Sequence, residues 1–237
     1  MSTRSILEEL PATRAAIFRL LKAEGFASIG RIAEVLGVSH EAARKQVADL
    51  QKNGWIGADC PPEESDPRGA ARGRPSVRYC LTAAGDHFFP KQYPALAMTL
   101  IDAIAAEGGQ ENLRGILARI TDQRVADLEP RTAEMPLKRK MTMLRAIYRD
   151  RDPDTDVQRR GEDYVLIERN CPFLSVALER PEICSTTVST LRRLTGCQVV
   201  RQRRFQDGDG RCEFHVRTSQ NSPENAKNRF EWEPHRT

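Results

Sequence analysis

Several catalytic signatures are missing from this chain. It has no G-x-S-x-G elbow, no H-E-x-x-H, no phosphate-binding glycine loop and no radical-enzyme C-x3-C-x2-C. The expectation is therefore a protein that is not an enzyme. No window approaches the run of about eighteen apolar residues that a membrane-spanning helix needs. Met1–Leu10 contains Glu8 and Glu9 and lacks the apolar centre of a secretion signal. These absences predict a cytoplasmic protein with no membrane partner. Internal repeats are absent, and so are the close C-x2-4-C pairs usual in structural zinc sites. Charge of one sign is also scarce: the net charge is +4 and the isoelectric point is near 8.8. That balance does not identify a nucleic-acid binder, but it permits a local basic face.

The 237 residues, 39% hydrophobic and 30% charged, suffice for two modest domains with real cores. There are six cysteines. In a reducing compartment these are expected to be ligands, redox-active thiols or small buried hydrophobes, not a disulfide framework. Four of them, Cys171, Cys184, Cys197 and Cys212, fall in one stretch as C-x12-C-x12-C-x14-C. Such wide spacing suits ligands gathered by a fold.

In the first ninety or so residues, Ile17, Leu20 and Leu21 have helical spacing, and Gly25 stops that helix. Ser28 can cap a second helix with Ile29, Ile32, Ala33 and Leu36 inward. Gly37-Val38-Ser39 is a tight turn with a new N-cap, opening a third helix to Asn53 that buries Ala43, Val47 and Leu50. Glu41, Arg44 and Lys45 then face away from that core, flanked by His40 and Gln46. Donors cluster in the N-terminal half, where recognition helices meet base edges. A solvated face on a three-helix bundle is the plainer reading. Trp55-Ile56 and Val77–Leu81 read as two short strands of a hairpin whose connection carries Arg68, Arg72 and Arg74, with Arg78 close by. Guanidinium groups there suit phosphates or a narrow minor groove; a solvated linker is the plainer reading. Cys60 and Cys80 flank this connection, for core packing or for a disulfide switch.

Three further helical stripes follow: Leu96, Leu100, Ile101 and Ile104 up to Gly108-Gly109; Leu113, Ile116, Leu117 and Ile120; and Leu137, Met141, Leu144 and Tyr148. They suit either the core or a two-fold interface, with the helix from Tyr93 to Glu107 preferred for dimerisation. Asp150–Arg160 is polar and reads as a loop. Tyr164–Ile167 reads as a strand leading to Asn170-Cys171-Pro172, which places Cys171 at a helix N-terminus favouring a thiolate. Cys184, Val188 and Leu191 share a helical face after Pro181, Gly196 ends that helix, and Cys197–Phe205 reads as a strand. Beyond the Asp207-Gly208-Asp209-Gly210 turn, Cys212, Phe214 and Val216 alternate inward. Several thiols thus converge. Zinc and an iron-sulfur cluster both remain open, because soft thiolates hold either. Thr218–Thr237 is polar and reads as a flexible tail.

Ile32–Leu36, Gly37-Val38-Ser39, Gly73-Arg74-Pro75 and Tyr79-Cys80-Leu81-Thr82 resemble the winged helix-turn-helix of bacterial regulators in the ArsR/MarR/DeoR-like group. Asn170-Cys171-Pro172, Pro181-Glu182-Ile183-Cys184 and Gly210-Arg211-Cys212-Glu213-Phe214 resemble the C-terminal region of SufR-type iron-sulfur repressors. The resemblance implies an iron-sulfur cluster, 4Fe-4S, in each subunit of a homodimer on a palindromic double-stranded DNA operator. It carries the ligand role to Cys171, Cys184 and Cys212. The family pattern has one more residue before the third cysteine, so the fourth ligand is left between Cys197, another side chain and a small exogenous molecule. The expected bases-and-backbone contacts are Ser39, His40, Glu41, Arg44, Lys45, Gln46, Arg68, Arg72, Arg74 and Arg78. The expected fold is α+β: a winged helix-turn-helix over residues 1–90, dimerisation helices over 91–150, a small cysteine-bearing α/β sensor over 151–218 and a tail over 219–237.

Overall fold

In the computed structural model, residues 6–58, 77–221 and 230–233 are described. Helix and sheet are mixed, and contacts divide the chain at residues 1–92 and 93–237. Among the described residues no helix is long and apolar enough to cross a membrane.

The first unit runs α1 (Ile6–Glu9), α2 (Ala12–Glu24), β1 (Ala27–Ser28), α3 (Ile29–Leu36), α4 (His40–Lys52), β2 (Ile56–Gly57), β3 (Arg78–Leu81) and α5 (Ala83–Asp86). Its helix boundaries follow from side-chain caps that satisfy otherwise unpaired amides. Ser28 Oγ accepts from the Arg31 amide at 3.3 Å, and Ser39 Oγ from the Ala42 amide at 3.2 Å. Gly37 closes α3 in the left-handed region, at φ 64°. Ile17, Phe18, Ile32, Ala43 and Leu50 are almost completely buried together. The Phe18, Trp55 and Phe88 rings meet edge to face against this core. The sheet has the order β1-β3-β2, all antiparallel. Strand β1 has no counterpart in the sequence pattern, since two residues are too few for a period. Cys80 is buried and faces the Gly57 carbonyl, which fits core packing; Cys60 lies outside the described residues.

The second unit begins with α6 (Tyr93–Thr132), bent at Gly108 and Gly109, where Gly109 has φ 66°. This is the helix break expected at Gly108-Gly109. It is followed by α7 (Leu137–Arg149), β4 (Asp156–Arg160), β5 (Asp163–Glu168), α8 (Leu174–Glu179), a 3-10 turn at Pro181–Cys184 and α9 (Ser185–Thr195). Strand β6 (Cys197–Arg203), a second 3-10 turn and β7 (Cys212–Asn221) complete it. The four-stranded antiparallel sheet has the order β4-β5-β7-β6. Helices α6, α7 and α9 pack on one of its faces through Val125, Met141, Leu144, Val188 and Leu191 against Leu166, Phe214 and Val216.

Two expectations need correction. The polar stretch Asp150–Arg160 is not all loop, because Asp156–Arg160 pairs with β5 through a turn at Gly161. It is an edge strand, and edge strands carry polar residues without losing pairing. The flexible tail is also too long as expected. Strand β7 reaches Asn221, Phe230 is buried against Trp232 at 5.4 Å between ring centroids, and Glu233 is 9% exposed.

Gly85 shows where the first unit tolerates no side chain. Added there, a Cβ would stand 2.0 Å from the Trp55 carbonyl oxygen. Gly85→Ala is expected to lower unfolding free energy by about 2 kcal/mol or more through overpacking. Gly115→Ala, where a Cβ meets nothing within 4 Å, is expected to be neutral or to gain up to about 1 kcal/mol. Thermal melts of the two variants check this; an unshifted Gly85→Ala would overturn the packing assignment.

Candidate functional site

The second unit holds a cavity of about 370 Å³, open on one side, whose wall includes Cys171, Cys184 and Cys212. Each thiol arrives from a different element. Cys212 opens β7 and points into the helix-covered face by the alternation shared with Phe214 and Val216. Cys184 ends the 3-10 turn that Pro181 begins, directly before α9, and Gln206 Nε2 donates to its sulfur at 3.2 Å. Cys171 lies between β5 and α8. The backbone leading to it is held by buried Asp152, whose Oδ2 accepts from the amides of Arg169 at 2.7 Å and Asn170 at 3.0 Å. Burial opposes the Asp152 charge, but these amide bonds outweigh it and hold the carboxyl below its usual range.

Cys197 does not join the other three. It is 7% exposed within the hydrophobic core, with its sulfur 3.6 Å from the Thr195 carbonyl. It starts β6, whereas the Cys212 end of the sheet lies by Arg203, at the other end of that strand. Six residues at about 3.3 Å each separate the two ends by roughly 20 Å. The four cysteines of the stretch are not in disulfides.

The same wall holds Glu168, Arg201, Arg124 and Arg151, none of them expected from the sequence, and Tyr148, expected there only as part of an apolar helical stripe. Glu168 pairs with Cys212 across neighbouring strands. Among the described residues its carboxylate makes no hydrogen bond or ion pair. Burial raises its pKa to about 7, Asp152 adds to that, and Arg151, Arg201 and Arg124 oppose it. Arg201 is 4% exposed and donates to the Cys212 sulfur at 3.7 Å and to Glu233 Oε1 at 2.9 Å. Arg204 also reaches Glu233, at 3.0 Å. The C-terminal segment is thus tied to an arginine that touches a cavity thiol. Arg124 donates to Thr186 Oγ1 at 2.9 Å, and burial lowers its pKa.

The position of Cys171 before α8 was expected to favour a thiolate. Burial reverses this: it drives the Cys171 pKa up to about 11, against the Phe173 amide that would lower it. Burial likewise raises the Cys212 thiol. Among the described residues no three His, Cys, Asp or Glu side chains stand close enough to hold a single metal ion. The shared element is a cavity with sulfur on several sides, not a preassembled tetrahedron.

In the first unit, Ser39, His40, Glu41, Arg44 and Lys45 are exposed on α4 and Gln46 is half-buried. Ser39 is spent on capping α4, and Arg44 lies 3.8 Å from Glu41. Arg78 is exposed, with its guanidinium 4.4 Å from the centroid of the Phe26 ring. Arg68, Arg72 and Arg74 lie outside the described residues. No known family model matches this chain, and neither does any curated protein.

The half-buried Glu168 carboxyl generates a test with opposite sign to ordinary acid denaturation. Its raised pKa means the neutral form suits the fold, so stability is fully present below about pH 4.5 and is lost as pH rises towards the folded value of about 7. In metal-free protein, Glu168→Gln is expected to be more stable than wild type at pH 8, on the order of 2 kcal/mol, and no more stable at pH 4. Chemical denaturation at the two pH values reads this; an equal difference at both would remove the charge as its cause.

Proposed function

We propose that this chain is a homodimeric, cytoplasmic DNA-binding transcription regulator, a repressor, whose operator affinity is set by a cysteine-ligated iron-sulfur cluster, 4Fe-4S, one in each subunit. The observation that carries the reading is the convergence of Cys171, Cys184 and Cys212 on one cavity from three different elements. Widely separated thiolates around a volume larger than a single ion suit a polynuclear centre better than structural zinc. The donor set fits such a group in charge as well. Arg201, Arg124 and Arg151 in the wall can balance thiolates that burial alone would leave protonated.

When bound, the cluster would supply a redox- and nitric-oxide-sensitive cross-link among its ligands, labile also to iron shortage. The residues of the chain do the rest. Asp152 orients the Cys171 segment, Gln206 faces Cys184, and Arg201 joins Cys212 to Glu233. A change at the thiols therefore reaches β5, β6, β7 and the C-terminal segment together.

For the first unit, helices α3 and α4 across Gly37-Val38-Ser39, with strands β2 and β3, support a winged helix-turn-helix. The exposed His40, Glu41, Arg44 and Lys45 suit base edges, and the wing arginines suit phosphates. Tyr93, Leu96 and Leu100 are each more than half exposed along α6, which supports a two-fold interface there and a palindromic operator. A coupling of about 1–3 kcal/mol would change operator affinity 5- to 150-fold. A second reading, a cluster-free regulator with an organic ligand, is favoured by the apolar part of the cavity wall, Leu100, Ile104, Leu113 and Leu117.

Iron and acid-labile sulfide on protein purified without oxygen test the reading. About four of each per chain with broad absorbance near about 400 nm are expected, and Cys212→Ser should lose them without melting the first unit. Colourless protein that takes up no iron on anaerobic reconstitution would sink the cluster and leave the organic-ligand reading. Arg44→Ala and Lys45→Ala should each weaken operator binding by about 1–3 kcal/mol and relax the preference for operator over unrelated duplex. Unchanged affinity and preference in both would take α4 off the DNA.

A further inference from the structure

The three cavity thiols leave one corner of a four-iron core without a cysteine, because Cys197 stands at the opposite end of its strand. We propose that Glu168 supplies the remaining protein ligand, a carboxylate oxygen on the iron that no cysteine reaches; this rests on the cluster reading above. Strand pairing puts Glu168 directly beside Cys212, on the same face of adjacent antiparallel strands. Side chains so paired have Cβ atoms about 4.5–5.5 Å apart. Tyr164, Leu166 and Glu168 alternate along β5 exactly as Val216, Phe214 and Cys212 do along β7, so the carboxylate enters the cavity that holds the sulfur atoms.

A carboxylate in such a place is otherwise unexplained. Even partial burial of an acid is normally offset by a pairing or hydrogen bond, yet the half-buried Glu168 carboxylate has neither kind of partner among the described residues. The other carboxylates near the sheet are spent. Asp152 caps the chain before Cys171, Glu213 is paired with Arg211 at 2.7 Å, and Glu233 with Arg201 and Arg204. Three positive side chains face the site, so a further negative ligand would not stand uncompensated. An oxygen donor is harder than a thiolate and matches iron less well, so the iron it holds would exchange most readily. That makes it the corner where a signal acts.

The experiment compares wild type, Glu168→Gln, Glu168→Cys and Cys197→Ser, each purified anaerobically and carried through the same reconstitution. Iron and sulfide per chain, Mössbauer spectra and electron paramagnetic resonance of the oxidised and reduced forms are recorded. Wild type and Cys197→Ser are expected to carry about four irons per chain with the same spectra, one iron having an oxygen-ligated Mössbauer signature. Glu168→Gln should fall to about three irons per chain with the resonance of a three-iron cluster. Glu168→Cys should restore the fourth iron with its distinct signature gone. Far-ultraviolet circular dichroism checks that every variant is folded. If wild type is loaded and Glu168→Gln matches it in iron content and spectra, the assignment of Glu168 is overturned and the cluster reading stands. Loss of iron in Cys197→Ser alone would overturn it in favour of Cys197. Wild type that takes up no iron overturns both.

Discussion

The second unit depends on gathering three thiols and a carboxylate into one cavity on one face of a sheet. Burial favours the neutral forms of Cys171, Cys212 and Glu168 and raises all three. The same wall carries Arg201, Arg124 and Arg151, which favour the charged forms. The site is therefore poised between a protonated state that the low dielectric prefers and an anionic state that a bound cation would stabilise. A Glu168 without a partner costs folding free energy, and proteins retain such a cost where a site requires it.

Arg201 connects this balance to the rest of the unit. It is nearly fully buried between the Cys212 sulfur and the Glu233 carboxylate. Losing one member of such an arrangement leaves a buried charge uncompensated, which is far costlier than an exposed ion pair. Phe230 adds apolar area, and the Glu233 amide donates to Ser185 Oγ at 2.9 Å, at the start of α9. A polar C-terminal segment is thereby fixed to the helix that follows Cys184. In the first unit the organising constraint is different: Ser28, Ser39 and Thr82 cap successive helices, and Gly85 lets α5 approach the Trp55 carbonyl.

Local chemistry was legible where it acts over a few residues. The caps at Ser28 and Ser39, the stop at Gly37, the break at Gly108-Gly109 and the inward alternation of Cys212, Phe214 and Val216 all match their elements. Glu168 carried a readable signal that is easily passed over: it continues the period of two set by Tyr164 and Leu166, so an acid stands where an apolar residue is expected. For Asp152 only the local bond from the Asp154 amide was within reach of the sequence; its partners before Cys171, the amides of Arg169 and Asn170, are brought near only by the return of the chain. The tail misled because composition weighs its polar majority, whereas two aromatic rings and the ion pairs of Glu231 with Arg192 and of Glu233 with Arg201 and Arg204 hold residues 230–233.

By itself the sequence determined the periodicities, the caps and the number of thiols available, since these follow from backbone geometry and side-chain chemistry within a turn or a strand. The tertiary structure alone decided which thiols meet. Regular spacing made Cys197 look equivalent to its neighbours, but strand register places it roughly 20 Å along the sheet from the Cys212 end and sets Glu168 beside Cys212 instead. Register depends on pairing between segments some forty residues apart, and no count of intervening residues contains it.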